Sequence, residues 1–284
     1  MSAEVLVDGL DHPEGVAYDP DAGVVWAGGE AGQLYRVDLD ARRAEQVATA
    51  PGFVLGLAVD GAGRLALCAS EDGSLCAYAG AAVRRLVSTV DGAPLVQPNF
   101  PAFAPDGTLY VSDSGTWGRD DGRLVRIAPD GTATTLSRDV PCFTNGLAVS
   151  PDGRWLWVVE SYLPRLSRID LAAGTGRAEE VRRFDGTVLD GLACTADGGL
   201  LVSCYRPDRI YHLGADGQAT IVAEDPQGTL LAAPTNVCFV GAELDRVVSA
   251  NLGRWHLTIL DVGLSGVALH RPERWALDAL PEAR

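Results

Sequence analysis

Asn145-Gly-Leu-Ala-Val-Ser-Pro-Asp-Gly-Arg-Trp-Leu-Trp-Val-Val-Glu160 and Asp190-Gly-Leu-Ala-Cys-Thr-Ala-Asp-Gly-Gly-Leu-Leu-Val-Ser-Cys204 are two copies of one unit, 45 residues apart. Each reads as a short apolar strand, an Asp-Gly turn and a returning strand, and Asp-Gly between apolar runs is a strong hairpin signal. Weaker copies begin at Glu14-Gly-Val-Ala-Tyr, Leu55-Gly-Leu-Ala-Val, Asn99-Phe-Pro-Ala-Phe and Thr235-Asn-Val-Cys-Phe. A third, alternating strand follows (Gln33-Leu-Tyr-Arg-Val-Asp, Arg123-Leu-Val-Arg-Ile, Arg209-Ile-Tyr-His-Leu), then a more polar fourth (Ala133-Thr-Thr-Leu, Ala219-Thr-Ile-Val). Six such units predict an all-β, six-bladed β-propeller that occupies residues 1–284 as a single domain. Glu4-Val-Leu-Val stands before the first unit as each fourth strand stands before the next, so it is expected to complete the last blade; Gly266-Val-Ala-Leu-His competes for the same edge.

The composition narrows the chemistry. Net charge is −15 and every cationic residue is Arg, with no Lys. An acidic surface repels phosphate backbones and anionic lipid, so neither nucleic acid nor membrane is an expected partner. Without Lys there is no Schiff base, no P-loop and no lysine base. The N-terminus lacks a basic segment followed by an apolar run, and a cytoplasmic protein is expected. Six Cys are scattered without a C-x-x-C spacing and read as buried thiols. No G-x-S-x-G elbow or convincing Cys–His pair appears.

First strands line a propeller's axis, so equivalent positions in successive units form a ring. Three residues before the small residue of each first strand (Ala17, Ala58, Ala102, Ala148, Ala193, Cys238) stand Glu14, Leu55, Asn99, Asn145, Asp190 and Thr235. Four of these six are carboxylates or amides, and they include two of the chain's four Asn. A wet channel tolerates polar residues without an ion, but two carboxylates at ~5 Å repel by roughly 3 kcal/mol at an effective dielectric of 20. A central axial metal site held by Glu14, Asn99, Asn145 and Asp190 removes that cost. Oxygen donors without His or Cys favour one hard divalent cation, Ca²⁺ first, then Mg²⁺ or Mn²⁺, with Zn²⁺ less natural.

Pro13-Glu14-Gly15, Pro98-Asn99, Thr144-Asn145-Gly146-Leu147, Leu189-Asp190-Gly191-Leu192 and Pro234-Thr235-Asn236-Val237, in order and in register, resemble the senescence marker protein, gluconolactonase and luciferin-regenerating enzyme (SMP-30-like) family of six-bladed propellers. The resemblance covers essentially the whole chain. It implies that Glu14, Asn145 and Asp190 bind the metal, that Asp190 is the general base, and that Asn99 contacts substrate or a metal-bound water. Sugar-lactone members carry an Arg two residues before the third-blade Asn and an Asp-Gly after it; this chain has Gln97 and Phe100-Pro101 instead.

Two residues before the ring positions stand His12, Phe53, Gln97, Phe143, Val188 and Ala233, which give the channel mouth a largely apolar lining. His12, Phe53, Gln97, Phe100 and Phe143 are therefore the expected substrate pocket, for a small molecule bearing an apolar group. Phe53 and Phe143 read equally well as loop anchors. Loops on the same face carry Glu30, Glu71, Asp113, Trp117, Glu160, Tyr162, Tyr205, Arg206, Asn251 and Trp255, most of them expected as solvated or structural rim. His12 is the histidine expected near the chemistry, while His212, His256 and His270 are expected in outer strands.

The leading expectation is a divalent-metal-dependent hydrolase of a cyclic ester, a lactonase, with Asp190 as base and Asn99 orienting substrate. Two alternatives use the same ring. One is a metal-dependent propeller enzyme of secondary metabolism catalysing condensation, cyclisation or isomerisation. The other is a non-catalytic metal or metabolite binder. Oligomeric state is not legible in the sequence.

Overall fold

The computed structural model describes residues 2–279, and its strands form six four-stranded antiparallel sheets plus one two-stranded ribbon. Five sheets are built from consecutive strands; blade 1, for example, runs Val16–Asp19, Val24–Gly28, Gln33–Asp38 and Arg43–Thr49. The inner strands of blades 2 to 6 are Val54–Val59, Pro98–Phe103, Thr144–Val149, Val188–Cys194 and Pro234–Val240. In blade 6 the fourth strand is the N-terminal Ser2–Asp8, which pairs antiparallel with His256–Asp261. The N-terminal segment thus takes the edge for which the C-terminal segment competed.

Burial follows the radial position. Strands near the axis are covered on both faces by neighbouring blades, and so read as continuous apolar runs. Pro98–Phe103 and Pro234–Val240 are buried at every residue, whereas the peripheral Arg43–Thr49 is mostly exposed. The core is accordingly a set of wedges between adjacent blades. Ala17 of blade 1 packs with Leu57, Val59 and Leu67 of blade 2, and Ala148 and Val159 of blade 4 with Leu192 and Val202 of blade 5. Leu6, Val16, Val25, Val248 and Leu257 close the circle between blades 6 and 1. All six cysteines are buried free thiols, and burial pushes the thiols of Cys194 and Cys238 up to about 12. Among the described residues no helix is long and apolar enough to cross a membrane.

The C-terminal segment does something else. It runs as a strap across the end of the channel where the inner strands finish. Gly266 forms a bridge with Thr195, the His270 ring nitrogen reaches the Ser150 carbonyl at 2.8 Å, and Arg271 donates to Asp19 and Asp21 at 2.8 Å each. Beyond it, Trp275 is fully buried against Phe103 and donates through Nε1 to Asp60 at 2.8 Å. His270 therefore lies on this strap and not in an outer strand. His212 and His256 do lie in outer strands, paired with Asp197 and the Leu230 carbonyl respectively.

Candidate functional site

In blades 2 to 6 the pairing of inner and second strands skips at the ring position: between Val54 and Leu57, Pro98 and Pro101, Thr144 and Leu147, Leu189 and Leu192, and Pro234 and Val237. A bulge releases its residues from the ladder and re-aims their side chains. Here the released pairs are Leu55-Gly56, Asn99-Phe100, Asn145-Gly146, Asp190-Gly191 and Thr235-Asn236. The repeated glycine has a steric reason. A Cβ on Gly15 would stand 1.9 Å from the Leu55 carbonyl oxygen, and one on Gly146 would stand 2.2 Å from that of Asp190. Glycine lets the ring segments of blades 1, 2, 4 and 5 approach the ring segment of the next blade.

Hydroxyls stitch these segments together. Ser114 Oγ donates to the Thr144 carbonyl at 2.7 Å, Ser161 Oγ to that of Leu189 at 2.6 Å, and Thr235 Oγ1 to that of Glu14 at 2.7 Å. Because Ser114 and Ser161 spend their only hydrogen this way, each can only accept from the ring amide beside it. Asn99 Nδ2 and Asn145 Nδ2 donate to them at 3.0 Å. The network thereby fixes both amide orientations and turns each Oδ1 away from the serine.

Glu14 Oε2, Asn99 Oδ1, Asn145 Oδ1 and Asp190 Oδ1 are buried with no hydrogen-bond partner. Four orphaned oxygens on one ring are unusual, since buried polar atoms are nearly always paired. Burial raises the Glu14 carboxyl to about 8, with the nearby Asn236 amide acting in the opposite direction. Asp190 is also driven well up, first by burial and then by the Glu14 charge, with Asn145 opposing. Neither amide approach has hydrogen-bond geometry, so the carboxylates keep an uncompensated need for positive charge. As a donor set, four oxygens with two carboxylates suit a hard divalent cation.

Asn236 is the residue that sequence reasoning passed over. It is fully buried, both amide atoms lack partners, and its Oδ1 lies where a Gly191 Cβ would meet it at 2.7 Å. The ring position proper, Thr235, is used for the inter-blade bond. The bulge puts both residues at the axis, and the Thr-Asn pair was the available signal. Leu55 closes the ring with an apolar side chain.

Several rim candidates turn out to hold the ring in place. Asp113 is buried against Arg123 at 2.9 Å and accepts the backbone N–H groups of Val96 and Gln97 at 2.9 and 2.8 Å. Glu160, paired with Arg165, accepts that of Cys142 at 2.8 Å, and Asn251 accepts that of Ala232 at 3.1 Å. Each clamps the residue three before a ring position. Just after these clamps the chain is left-handed at Phe143 (φ 60°) and Ala233 (φ 52°), and blade 1 repeats this at His12 (φ 41°). Such φ values are costly for residues with side chains and persist only where the surroundings enforce them.

At the mouth, His12 Nδ1 lies 3.0 Å from Asp11 and 3.1 Å from Glu30, and its ring meets Trp255 at 5.4 Å. Phe143 packs edge-on against Trp117 at 4.9 Å, and Trp117 in turn meets Tyr162 at 6.0 Å. Trp117, Trp255 and Tyr162 are about half exposed, at 54%, 55% and 46%. Gln97 is half-buried beside its Asp113 clamp, and Phe53 packs into the wedge between blades 2 and 3. Glu71 is exposed beside Gly52, and Arg206 is turned onto Asp208 with its guanidinium over Tyr205. Phe100 departs from expectation: the bulge sends its side chain below the ring, into the core between blades 3 and 4.

The SMP-30/gluconolactonase/LRE-like region matches residues 12–250. A gluconolactonase from Xanthomonas campestris superposes with a TM-score of 0.78 at 21% identity, covering 92% of this chain and 89% of that one. Regucalcin from Agrobacterium tumefaciens, a calcium-binding protein, gives 0.75 at 21% identity over 94% and 96%. Strictosidine synthase-like 6 of Arabidopsis thaliana is 27% identical over 184 residues, 58% of this chain, and the chain spans about half (49%) of that relative's length. With the family region spanning all but the termini, the chain belongs to the SMP-30/gluconolactonase/LRE-like family.

Proposed function

We propose that this protein is a divalent-metal-dependent hydrolase of a cyclic ester, with Glu14, Asn99, Asn145 and Asp190 as the cation's ligands and Ca²⁺ the first choice. The observation that carries the reading is the set of four buried, partnerless oxygens on one ring. Family membership supports lactonase chemistry. When bound, the cation supplies Lewis-acid polarisation of the ester carbonyl. Asp190 takes the proton of the attacking water, and Glu14 balances charge without transferring a proton. Asn99, its amide held by Ser114, orients the substrate. A lactone panel followed with a pH indicator, with and without chelator, tests the reading; cation binding without turnover on any lactone would leave only a binder.

The ring depends on its serines for aim. Ser161→Ala removes both the acceptor for Asn145 Nδ2 and the donor to Leu189. Cation affinity should fall by about 10- to 100-fold, the usual cost of losing a ligand's supporting hydrogen bond. Calorimetric titration with Ca²⁺ measures it, and an unchanged affinity would assign the orientation to the bulge alone.

The mouth bears on substrate choice. Aromatic side chains stand exposed at Trp117, Tyr162 and Trp255, and Gln97 lies two residues before Asn99. A lactone with an alkyl or aryl group should be preferred over a hydroxyl-rich sugar lactone by roughly 10-fold or more in kcat/KM, since each methylene in an apolar pocket is worth about 1–3 kcal/mol. Equal or better kcat/KM for the sugar lactone sinks this preference. The strictosidine synthase-like alignment favours a second reading, condensation or cyclisation of an apolar metabolite at the same ring. Mass spectrometry of products separates it from hydrolysis by the absence of added water.

A further inference from the structure

A largely apolar cavity adjoins the ring without including it. A cavity of about 380 Å³ occupies the channel between the ring and the C-terminal strap. Its upper girdle is Val16, Leu57, Pro101, Leu147, Leu192 and Val237, each two residues past a ring position, so it begins where the oxygen site ends. Phe103 and Phe239 widen the apolar wall lower down, and the strap closes the far end with Val267, Ala268 and Leu269.

Three features define what such a chamber would take. The first is size. A cavity of about 150 Å³ lined by aliphatic and aromatic side chains stays dry and binds benzene, whereas this one falls in the roughly 300–1,000 Å³ range of ligand pockets. The second is the lack of available charge. The lining includes His270 and Arg271, but His270 is engaged by Ser150 and Arg271 by Asp19, Asp21 and the Asp60 carbonyl. An ionic ligand would be desolvated there without a counter-charge, at a large cost. The third is backbone polarity. Each inner strand is hydrogen-bonded on one side only, so its other edge turns backbone N–H and C=O groups toward the axis. A wholly hydrocarbon ligand would leave those groups dry.

We propose that this strap-closed chamber is a second small-molecule site, distinct from the oxygen ring, for a neutral and largely apolar molecule carrying one or two hydrogen-bonding groups, such as an aliphatic or alicyclic alcohol or ketone. Leu269 lines the chamber yet is 52% exposed, which places it at the mouth and marks the route of entry. The site is independent of the hydrolase reading, because no ring ligand lines it.

The experiment is a fluorescence titration of the intact protein with 1-aminoanthracene, followed by displacement with n-octanol and with octanoate. Saturable one-to-one binding is expected, with octanol displacing the probe at concentrations at least tenfold lower than octanoate. Ala148→Leu and Cys238→Leu fill the chamber, and each should weaken probe binding at least tenfold while the melting shift on adding Ca²⁺ is retained. Leu269→Glu changes an exposed position, so it keeps the test decisive if the filling variants fold poorly, and it too should weaken binding. No saturable binding, or unchanged affinity in the folded variants, overturns the proposal. Loss of binding in Trp117→Ala would place the probe on the aromatic mouth instead and overturn it equally.

Discussion

Stripped of divalent cations, the protein should lose thermal stability as pH rises from about 5 to about 8, and added Ca²⁺ should abolish that loss. Glu14 has an ordinary value of 4.5 and is raised by burial to about 8 in the folded chain, and Asp190 is raised in the same direction. Between those values the native state holds protons that the unfolded chain releases. A group whose folded pKa is raised contributes stability that is fully present below its unfolded pKa and lost as pH climbs through the folded one. A cation supplies the missing positive charge, displaces the protons, and so binds more tightly as pH rises. At a hundredfold over its dissociation constant it adds about 2.7 kcal/mol to folding stability. Melting curves in chelator and in Ca²⁺ across this pH range measure both effects. Glu14→Gln should flatten the chelator curve, since it keeps the shape and removes the titrating group. If chelator-treated and Ca²⁺-loaded protein melt together at pH 8, and Glu14→Gln changes nothing, the ring holds no cation.

The same residues show what a sequence can and cannot disclose. The inter-blade wedges require small and branched residues at fixed places in every blade, and the first hairpins of blades 2 to 5 each turn through an Asp-Gly pair, so the six units are legible by period. Ring positions inherit that legibility. Why Gly follows Glu14, Leu55, Asn145 and Asp190 was not legible, because the cause is the carbonyl of the next blade, about 45 residues on, and no local pattern records it. The same holds for Asp113 and Glu160, which look like free rim carboxylates until Arg123 and Arg165 are seen against them. Phe100 and Asn236 were misplaced or missed because a bulge breaks the alternation from which facing is inferred. The strap lies outside the repeat altogether. Its anchors, Arg271 to Asp19 and Trp275 to Asp60, join residues more than 200 positions apart and leave no periodic trace.

Asp190→Asn should separate cation binding from proton transfer. The substitution keeps an oxygen donor of nearly the same shape at the bulge and removes both the charge and the basic oxygen. Cation affinity should fall without vanishing, because Glu14, Asn99 and Asn145 remain with their partnerless oxygens. Turnover of the lactone substrate should drop by about 10²- to 10⁴-fold even at saturating cation, the range for losing a positioned general base. Asn145→Asp supplies the contrast: it adds charge to the ring, should tighten cation binding, and leaves Asp190 in place. Two measurements decide between roles, cation affinity by calorimetry and kcat at saturating cation. If kcat survives in Asp190→Asn, the aspartate is a ligand only and the proton leaves by another group. Glu160 is a poor alternative, since Arg165 and the Cys142 N–H already hold its carboxylate. His12 then becomes the base to test: it stands two residues before Glu14, with Asp11 and Glu30 both at Nδ1. In that case His12→Gln, and not Asp190→Asn, would lower kcat at saturating cation by about 10²- to 10⁴-fold.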